Sequence, residues 1–202
     1  MILQDFLLSA NPVLLLAPRR HGDARGWFME TYNAKALAEQ GFDTPFVQDN
    51  LSLSAPVGTL RGLHFQAPPN GQDKLVRCAR GRILDVAVDL RRGSPTYGRW
   101  VGAELSADNG RQLLIPIGFG HGFVTLEPDC EVAYKCTALY APESDGGVRW
   151  DDPAIGIAWP LQGEPVLSDK DRVQPLLADF DSPFDYDGRP LQALGPDHYG
   201  NI

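Results

Sequence analysis

Between Gly58 and Lys74 the chain reads Gly-Thr-Leu-Arg61-Gly-Leu-His64-Phe-Gln66, then, after a short turn, Gln72-Asp73-Lys74. An Arg three residues before a His, in an apolar strand-like run with a Lys close behind, gathers an anion clamp, a proton acceptor and a cation in one stretch. That set suits proton chemistry beside a carbonyl on an anionic substrate. A half-buried His and a solvated strand Arg are also ordinary features, so the stretch alone leaves both readings open.

Two further segments carry residues of chemical interest. His21-Gly-Asp23-Ala-Arg25-Gly26-Trp-Phe28-Met-Glu30-Thr reads as a turn feeding a strand, with Phe28 and Glu30 on one face because strand side chains alternate. It is either a surface hairpin or an edge strand that presents Arg25, Phe28 and Glu30 to a ligand. Phe46 to Ser54 alternates apart from Asp49, with Gln48, Asn50, Ser52 and Ser54 on one face and Val47, Leu51 and Leu53 on the other. A face of amides and hydroxyls entering a core points to a lined cavity, with plain solvent as the alternative.

The elements that must hold these residues are mostly short strands. Phe6–Leu8, Val13–Leu16, Leu75–Cys78, Arg82–Leu90, Gly122–Leu126 and Glu131–Thr137 are expected strands, and Trp100–Leu105 with Gln112–Ile115 are expected to form a hairpin around Asp108-Asn109-Gly110. In Arg82–Leu90, Leu84, Val86, Val88 and Leu90 share a face opposite Asp85 and Asp89. A short helix begins at Asn33, a good N-cap, and is placed to end at Gly41. Many short strands with one early helix predict an all-β fold, an antiparallel double sheet or jelly roll.

The 202 residues, 43% of them hydrophobic, suffice for a single domain whose folding buries roughly 70% of the extended chain's surface. A net charge of -8 argues against nucleic-acid or anionic-membrane partners, so any bound phosphate must be held by a few placed cations. No apolar run approaches the roughly 20 residues that span a bilayer, and the first residues lack the form of a signal peptide, so a cytoplasmic location is expected. Cys78, Cys130 and Cys136 are odd in number and sit mostly among apolar residues, as reduced buried thiols do.

Longer spacings bring a resemblance. Gly110-(five residues)-Pro116-Ile-Gly118-Phe-Gly-His121-(three residues)-Thr125 is similar to the second cupin signature, and Gly58-(five residues)-His64-Phe65-Gln66 to the first, with Gln66 in place of its second His and no Glu following at the expected distance. Two imidazoles, no carboxylate and a neighbouring Lys74 make a poor metal shell, so no metal is expected. Arg61 to Gln66, Lys74-Leu-Val-Arg77-Cys, Asp85 to Arg91 through Ser94-Pro-Thr-Tyr-Gly98, Pro116 to Phe123, Tyr134-Lys135, Trp150-Asp-Asp152-Pro153 and Leu167-Ser168-Asp-Lys170-Asp171 together resemble the dTDP-4-dehydrorhamnose 3,5-epimerase family, over roughly residues 10 to 175. The tail from about Gln174 lies outside these motifs.

The resemblance implies a cupin-type jelly-roll barrel acting without cofactor on dTDP-4-dehydro-6-deoxy-D-glucose. It implies His64 as base, Asp171 as its carboxylate partner, Lys74 as the cation beside the 4-oxygen and Tyr134 as the acid on the opposite face. Asp171 could equally cap a turn, and Tyr134 could equally be core. Arg61 and Arg25 are implied to clamp the diphosphate, Glu30, Gln48 and Asn50 to meet nucleotide edges, and Phe28 and Tyr140 to wall the base. The strand at 25–31 is implied to reach the neighbour's site in a homodimer. His121 keeps the cupin position, as a ligand contact or as a support of the pocket. Competing readings are a C3-only or C5-only epimerase, a 3,4-ketoisomerase and a non-catalytic cupin that binds sugar nucleotides.

Overall fold

The computed structural model describes residues 11–195 and 198–202, so the expected strand Phe6–Leu8 lies outside the described residues. In chain order come β1 (Leu14–Leu16), β2 (Arg20–Asp23), β3 (Gly26–Met29), α1 (Ala34–Ala38), β4 (Gln48–Ser54), β5 (Leu60–Gln66), β6 (Lys74–Arg80) and β7 (Arg82–Asp89). They are followed by β8 (Trp100–Ser106), β9 (Gln112–Ile115), β10 (Phe119–Thr125), β11 (Cys130–Cys136), β12 (Asp145–Gly147), α2 (Asp169–Arg172) and β13 (Tyr199–Gly200). The Asn33 side chain caps α1 by accepting from the Ala36 N–H at 3.0 Å, and Gly41, at φ +85°, turns the chain away, as the sequence implies.

The strands form two facing sheets and a ribbon. One sheet has the order β1-β9-β6-β11-β4, the other β12-β5-β10-β7-β8-β13, and β2 pairs β3 in the ribbon; the named strands pair antiparallel throughout. The hairpin expected between Trp100–Leu105 and Gln112–Ile115 does not form. Its turn exists, with Asn109 Oδ1 accepting from the Ser106 and Arg111 N–H groups, but the turn carries the chain from one sheet to the other. β8 pairs β7 and β9 pairs β6, because Val101, Ala103 and Leu105 on one strand and Leu113 and Ile115 on the other all bury against the core between the sheets. Burial on a shared core outweighs a local turn signal. The result is a jelly-roll barrel.

Packing follows from strand alternation. Inward residues such as Val76, Ile83, Ala87, Phe119 and Val132 fill the inter-sheet core. Leu84, Val86, Val88 and Leu90 face outward and are covered by loop residues including Trp150, Ile155 and Phe184, so β7 is buried on both faces. Leu75 and Leu114 face outward under α1 and Phe42. All three cysteines are buried and free. The C-terminal tail packs too: Leu191 enters the inter-sheet core, Gln192 and Asn11 bond each other, and β13 pairs the flank of β8.

Candidate active site

The inward faces are apolar along most of the barrel and polar at one end. Lys74 shares parity with Val76 and Cys78 on β6, Tyr134 with Cys130 and Val132 on β11, and His121 stands between Phe119 and Phe123 on β10. His64 lies between Leu63 and Phe65, which face the outer cluster, and so points the opposite way. At this end the core is left unfilled as a cavity of about 370 Å³, lined by Arg61, His64, Lys74, His121, Phe123, Tyr134, Ser168 and Asp171 among others. The barrel thus brings together His64, Lys74, Tyr134, Asp171, Arg61 and His121, from positions up to 110 residues apart in sequence.

Close approach of β5 and β10 depends on two glycines. Gly62 has φ +126°, and a Cβ there would lie 2.5 Å from Gly122 Cα and 2.7 Å from His121 O. With that contact allowed, His64 and His121 become direct cross-strand partners.

His64 Nε2 lies 2.5 Å from Asp171 Oδ1, and Asp171 is 2% exposed. Ser168 caps α2 by accepting from the Asp171 N–H at 3.2 Å, while its hydroxyl donates to Asp171 Oδ2 at 2.7 Å. The capping and the pairing roles of this segment therefore coexist, with Ser168 as the cap and Asp171 as the partner. Burial pushes the Asp171 carboxyl up, but hydrogen bonds from His64, Ser168 and the Gly62 N–H outweigh it and leave the pKa lowered. An ionised Asp171 accepts Nε2–H and fixes the tautomer in which His64 Nδ1 carries the lone pair that can take a proton.

Lys74 and Tyr134 shift in opposite directions for one reason. Burial disfavours charge, so it pulls the Lys74 ammonium below its ordinary value and pushes the Tyr134 phenol above its own. Tyr134 accordingly stays protonated at neutral pH, as a proton donor must. Gln66, at the position of the second cupin His, is 5% exposed; its Nε2 donates to the carbonyls of Asn70 and Leu139 and its Oε1 accepts from the Ala141 N–H. That amide is occupied with holding loops.

The remaining predicted residues divide. Arg61 lines the cavity, held by Nε donating to Ser54 Oγ at 3.1 Å and Nη2 to the Leu53 carbonyl at 3.2 Å. Gln48 and Asn50 bond each other on β4 at 3.1 Å, Gln48 Oε1 accepts from the Tyr140 N–H, and neither amide lines the cavity. Their polar face is inward, which leaves Val47, Leu51 and Leu53 outward and more than half exposed. Arg25 and Phe28 sit on the β2–β3 ribbon; Arg25 pairs with Asp23 and its side chain is 90% exposed, while Phe28 is 69% exposed. Glu30 follows the ribbon and accepts from Asn33 Nδ2. Arg25, Phe28, Glu30 and Tyr140 do not line this chain's own cavity. Sequence reasoning passed over Ser168, signalled by its place three residues before Asp171, and Asp85, signalled as a carboxylate on a strand whose other face is wholly apolar.

Fold and site together define an acid–base enzyme on a cupin-type barrel. Residues 8–179 match the family model described as dTDP-4-dehydrorhamnose 3,5-epimerase, and the chain belongs to that family. A relative from Sinorhizobium fredii, named dTDP-4-dehydrorhamnose 3,5-epimerase, is 55% identical over 89% of this chain and 92% of its own. The crystal structure of dTDP-4-dehydrorhamnose 3,5-epimerase from Bacillus anthracis with TDP and pyrophosphate bound superposes with a TM-score of 0.82 at 50% identity, covering 87% of this chain and 98% of that one. The structure of dTDP-6-deoxy-D-glucose-3,5-epimerase from Legionella pneumophila in complex with dTDP-4-keto-L-rhamnose gives 0.84 at 45% identity, over 87% and 94%.

Proposed function

We propose that this chain inverts C3 and C5 of dTDP-4-dehydro-6-deoxy-D-glucose, giving dTDP-4-dehydro-L-rhamnose. The observation that carries the reading is the His64–Asp171 pair, 2.5 Å apart, in one cavity with Lys74 and Tyr134. A C–H beside a ketone is a weak acid, and removing its proton requires a base and a stabilised enolate oxygen. His64 Nδ1 takes the proton from one face, Asp171 holds the imidazolium that forms, and the Lys74 ammonium balances the charge on the 4-oxygen. Tyr134 returns a proton to the other face, and the centre inverts. Two such cycles, at the two carbons flanking one carbonyl, use one set of groups once His64 has released its proton to solvent and Tyr134 has regained one from it. No cofactor or metal is part of this scheme.

The nucleotide end is assigned to Arg61 with Gln48, Asn50 and Tyr140, and to Arg25, Phe28 and Glu30 of a neighbouring subunit in a homodimer, while His121 lines the cavity beside His64. The exposed Arg25 and Phe28 and the bare apolar face Val47, Leu51 and Leu53 support that assembly. The low ratio of basic to acidic residues, 18 to 26, supports a protein without nucleic-acid or anionic-membrane partners, and no helix among the described residues is long and apolar enough to cross a membrane.

Incubation with the 4-keto sugar nucleotide in deuterated water tests the reading. Deuterium at both C3 and C5 with the L-rhamno product is expected; exchange at one carbon alone identifies a mono-epimerase, and no exchange identifies a binding protein.

A further inference from the structure

Two carboxylates lie on the inward face of β7, four residues apart, and they are treated differently. Asp89 is saturated: its oxygens accept from Arg91 Nε and Nη2, the Arg91 N–H, Ser94 Oγ and Thr96 Oγ1. That is how a structural buried carboxylate looks. Asp85 is fully buried and makes one bond, Oδ1 to His121 Nε2 at 2.7 Å, while Oδ2 is buried with no partner. A buried carboxylate oxygen without a partner is costly, and its retention asks for a role other than packing.

Its surroundings supply one. His121 lines the cavity and is the cross-strand partner of His64, so the site contains two imidazoles side by side, each tied through Nε2 to a buried carboxylate. Lys74 reaches the same cavity from the facing sheet. Burial lowers the Lys74 pKa, and Cys136, Asp145 and Asp85 pull it back while Lys170 opposes them. The Cys136 thiol is itself pushed up by burial and is uncharged at neutral pH, and the Asp145 carboxylate is in contact with the Lys170 ammonium. Burial raises the Asp85 pKa as well, and His121 and Lys74 pull it back, so Asp85 and Lys74 each favour the charged form of the other.

We propose that Asp85 is a positioning residue of the epimerisation site: Oδ1 holds His121 with Nδ1 available to the cavity, and the unpartnered Oδ2 is the counter-charge that keeps Lys74 an ammonium when the sugar displaces water. This rests on the activity proposed above. An enolate oxygen is stabilised by a charged neighbour at the moment it forms, and an amine buried from water loses its proton more readily unless an anion faces it. The charges of Asp85 and Lys74 stand or fall together.

Asp85→Asn keeps the shape and removes the charge. The variant is expected to melt with the wild type and bind dTDP with unchanged affinity, yet lose about 10²-fold in kcat for solvent deuterium exchange, the scale of one lost oxyanion donor. Its alkaline fall in kcat is expected at lower pH, and Asp85→Asn added to Lys74→Gln is expected to cost less than the two single losses multiplied. Wild-type kcat in Asp85→Asn, a loss that tracks melting temperature and dTDP affinity, or full additivity with Lys74→Gln overturns the proposal. A separate readout needs no substrate: ¹⁵N signals of the imidazoles are expected to report an altered tautomer at His121 and an unchanged His64. Absence of turnover in the wild type sinks the activity reading alone, and the nitrogen signals still decide whether Asp85 governs His121.

Discussion

Tyr134→Phe and His64→Asn separate the acid from the base, because each removes one proton-transfer group and leaves the rest of the cavity lined as before. With the phenol gone, the enolate still forms on His64, Asp171 and Lys74, so deuterium is expected to enter with configuration largely retained. His64→Asn is expected to lose exchange and inversion together, by about 10²–10⁴-fold. Equal loss of both processes in Tyr134→Phe contradicts the division into base and acid. The opposed shifts of Lys74 and Tyr134 add a second expectation. The ammonium is lost as pH rises through the lowered Lys74 pKa, while burial holds the Tyr134 phenol protonated to higher pH than usual, so an alkaline fall in kcat is expected from Lys74. Residual activity of Tyr134→Phe is expected to keep that fall, and Lys74→Arg to move it to higher pH; a Tyr134→Phe profile flat to alkaline pH assigns the limb to the phenol instead. Arg61, His64 and Lys74 were legible as chemistry because they crowd one short stretch. Asp171 was legible only through the family resemblance, since nothing local distinguishes a partner of a distant His from a turn cap. The hold of Asp85 on His121 depends on strand register, which short motifs do not carry.

At the level of the elements, the β5–β10 crossing is the most demanding construction. A methyl group on Gly62 meets backbone at 2.5 Å from Gly122 Cα, and backbone cannot rotate aside as a flexible side chain does. Gly62→Ala is therefore expected to destabilise the protein by about 1–3 kcal/mol, as overpacking does. It is also expected to lower kcat more than dTDP affinity, since it displaces His64 and His121 together; denaturant unfolding and single-turnover exchange measure the two effects. Unchanged stability contradicts the packing argument. Strand positions were readable to within a few residues from alternation, and α1 from its cap and its glycine. Pairing was less readable. Asp108-Asn109-Gly110 is a strong turn, yet a turn fixes only a few residues, while the partners of β8 and β9 are chosen by where Leu105 and Leu113 find a core.

For the whole molecule, the placing of Arg25 and Phe28 away from the chain's own cavity gives the assembly expectation. Mixed Arg25→Ala and His64→Ala chains are expected to recover part of the wild-type activity after subunit exchange. If the ribbon serves its neighbour, both lesions fall in one site of the heterodimer and the other site is whole. No recovery, with exchange verified by mass, argues against a swapped ribbon. The tail beyond the family match was opaque in sequence, because its Asp, Pro and Tyr residues have no periodicity; it is defined by contact, through Phe184 and Leu191.

That tail also bears on polymerisation. Each sheet has one seven-residue flanking strand, β4 in the first and β8 in the second, and β13 lies against β8 while β4 is the outermost strand of its sheet. A particle with one adhesive border closes on a single copy of itself, whereas one with two builds open-ended chains. The two residues of β13 pair Gly102 and Val101 of β8, and they are expected to act as a terminator. A chain ended after His198, which loses β13 and keeps Phe184 and Leu191 in the cores, is expected to grow in light scattering with concentration beyond a closed pair, and a truncated chain that stays at the full-length size shows that the border is guarded by other means.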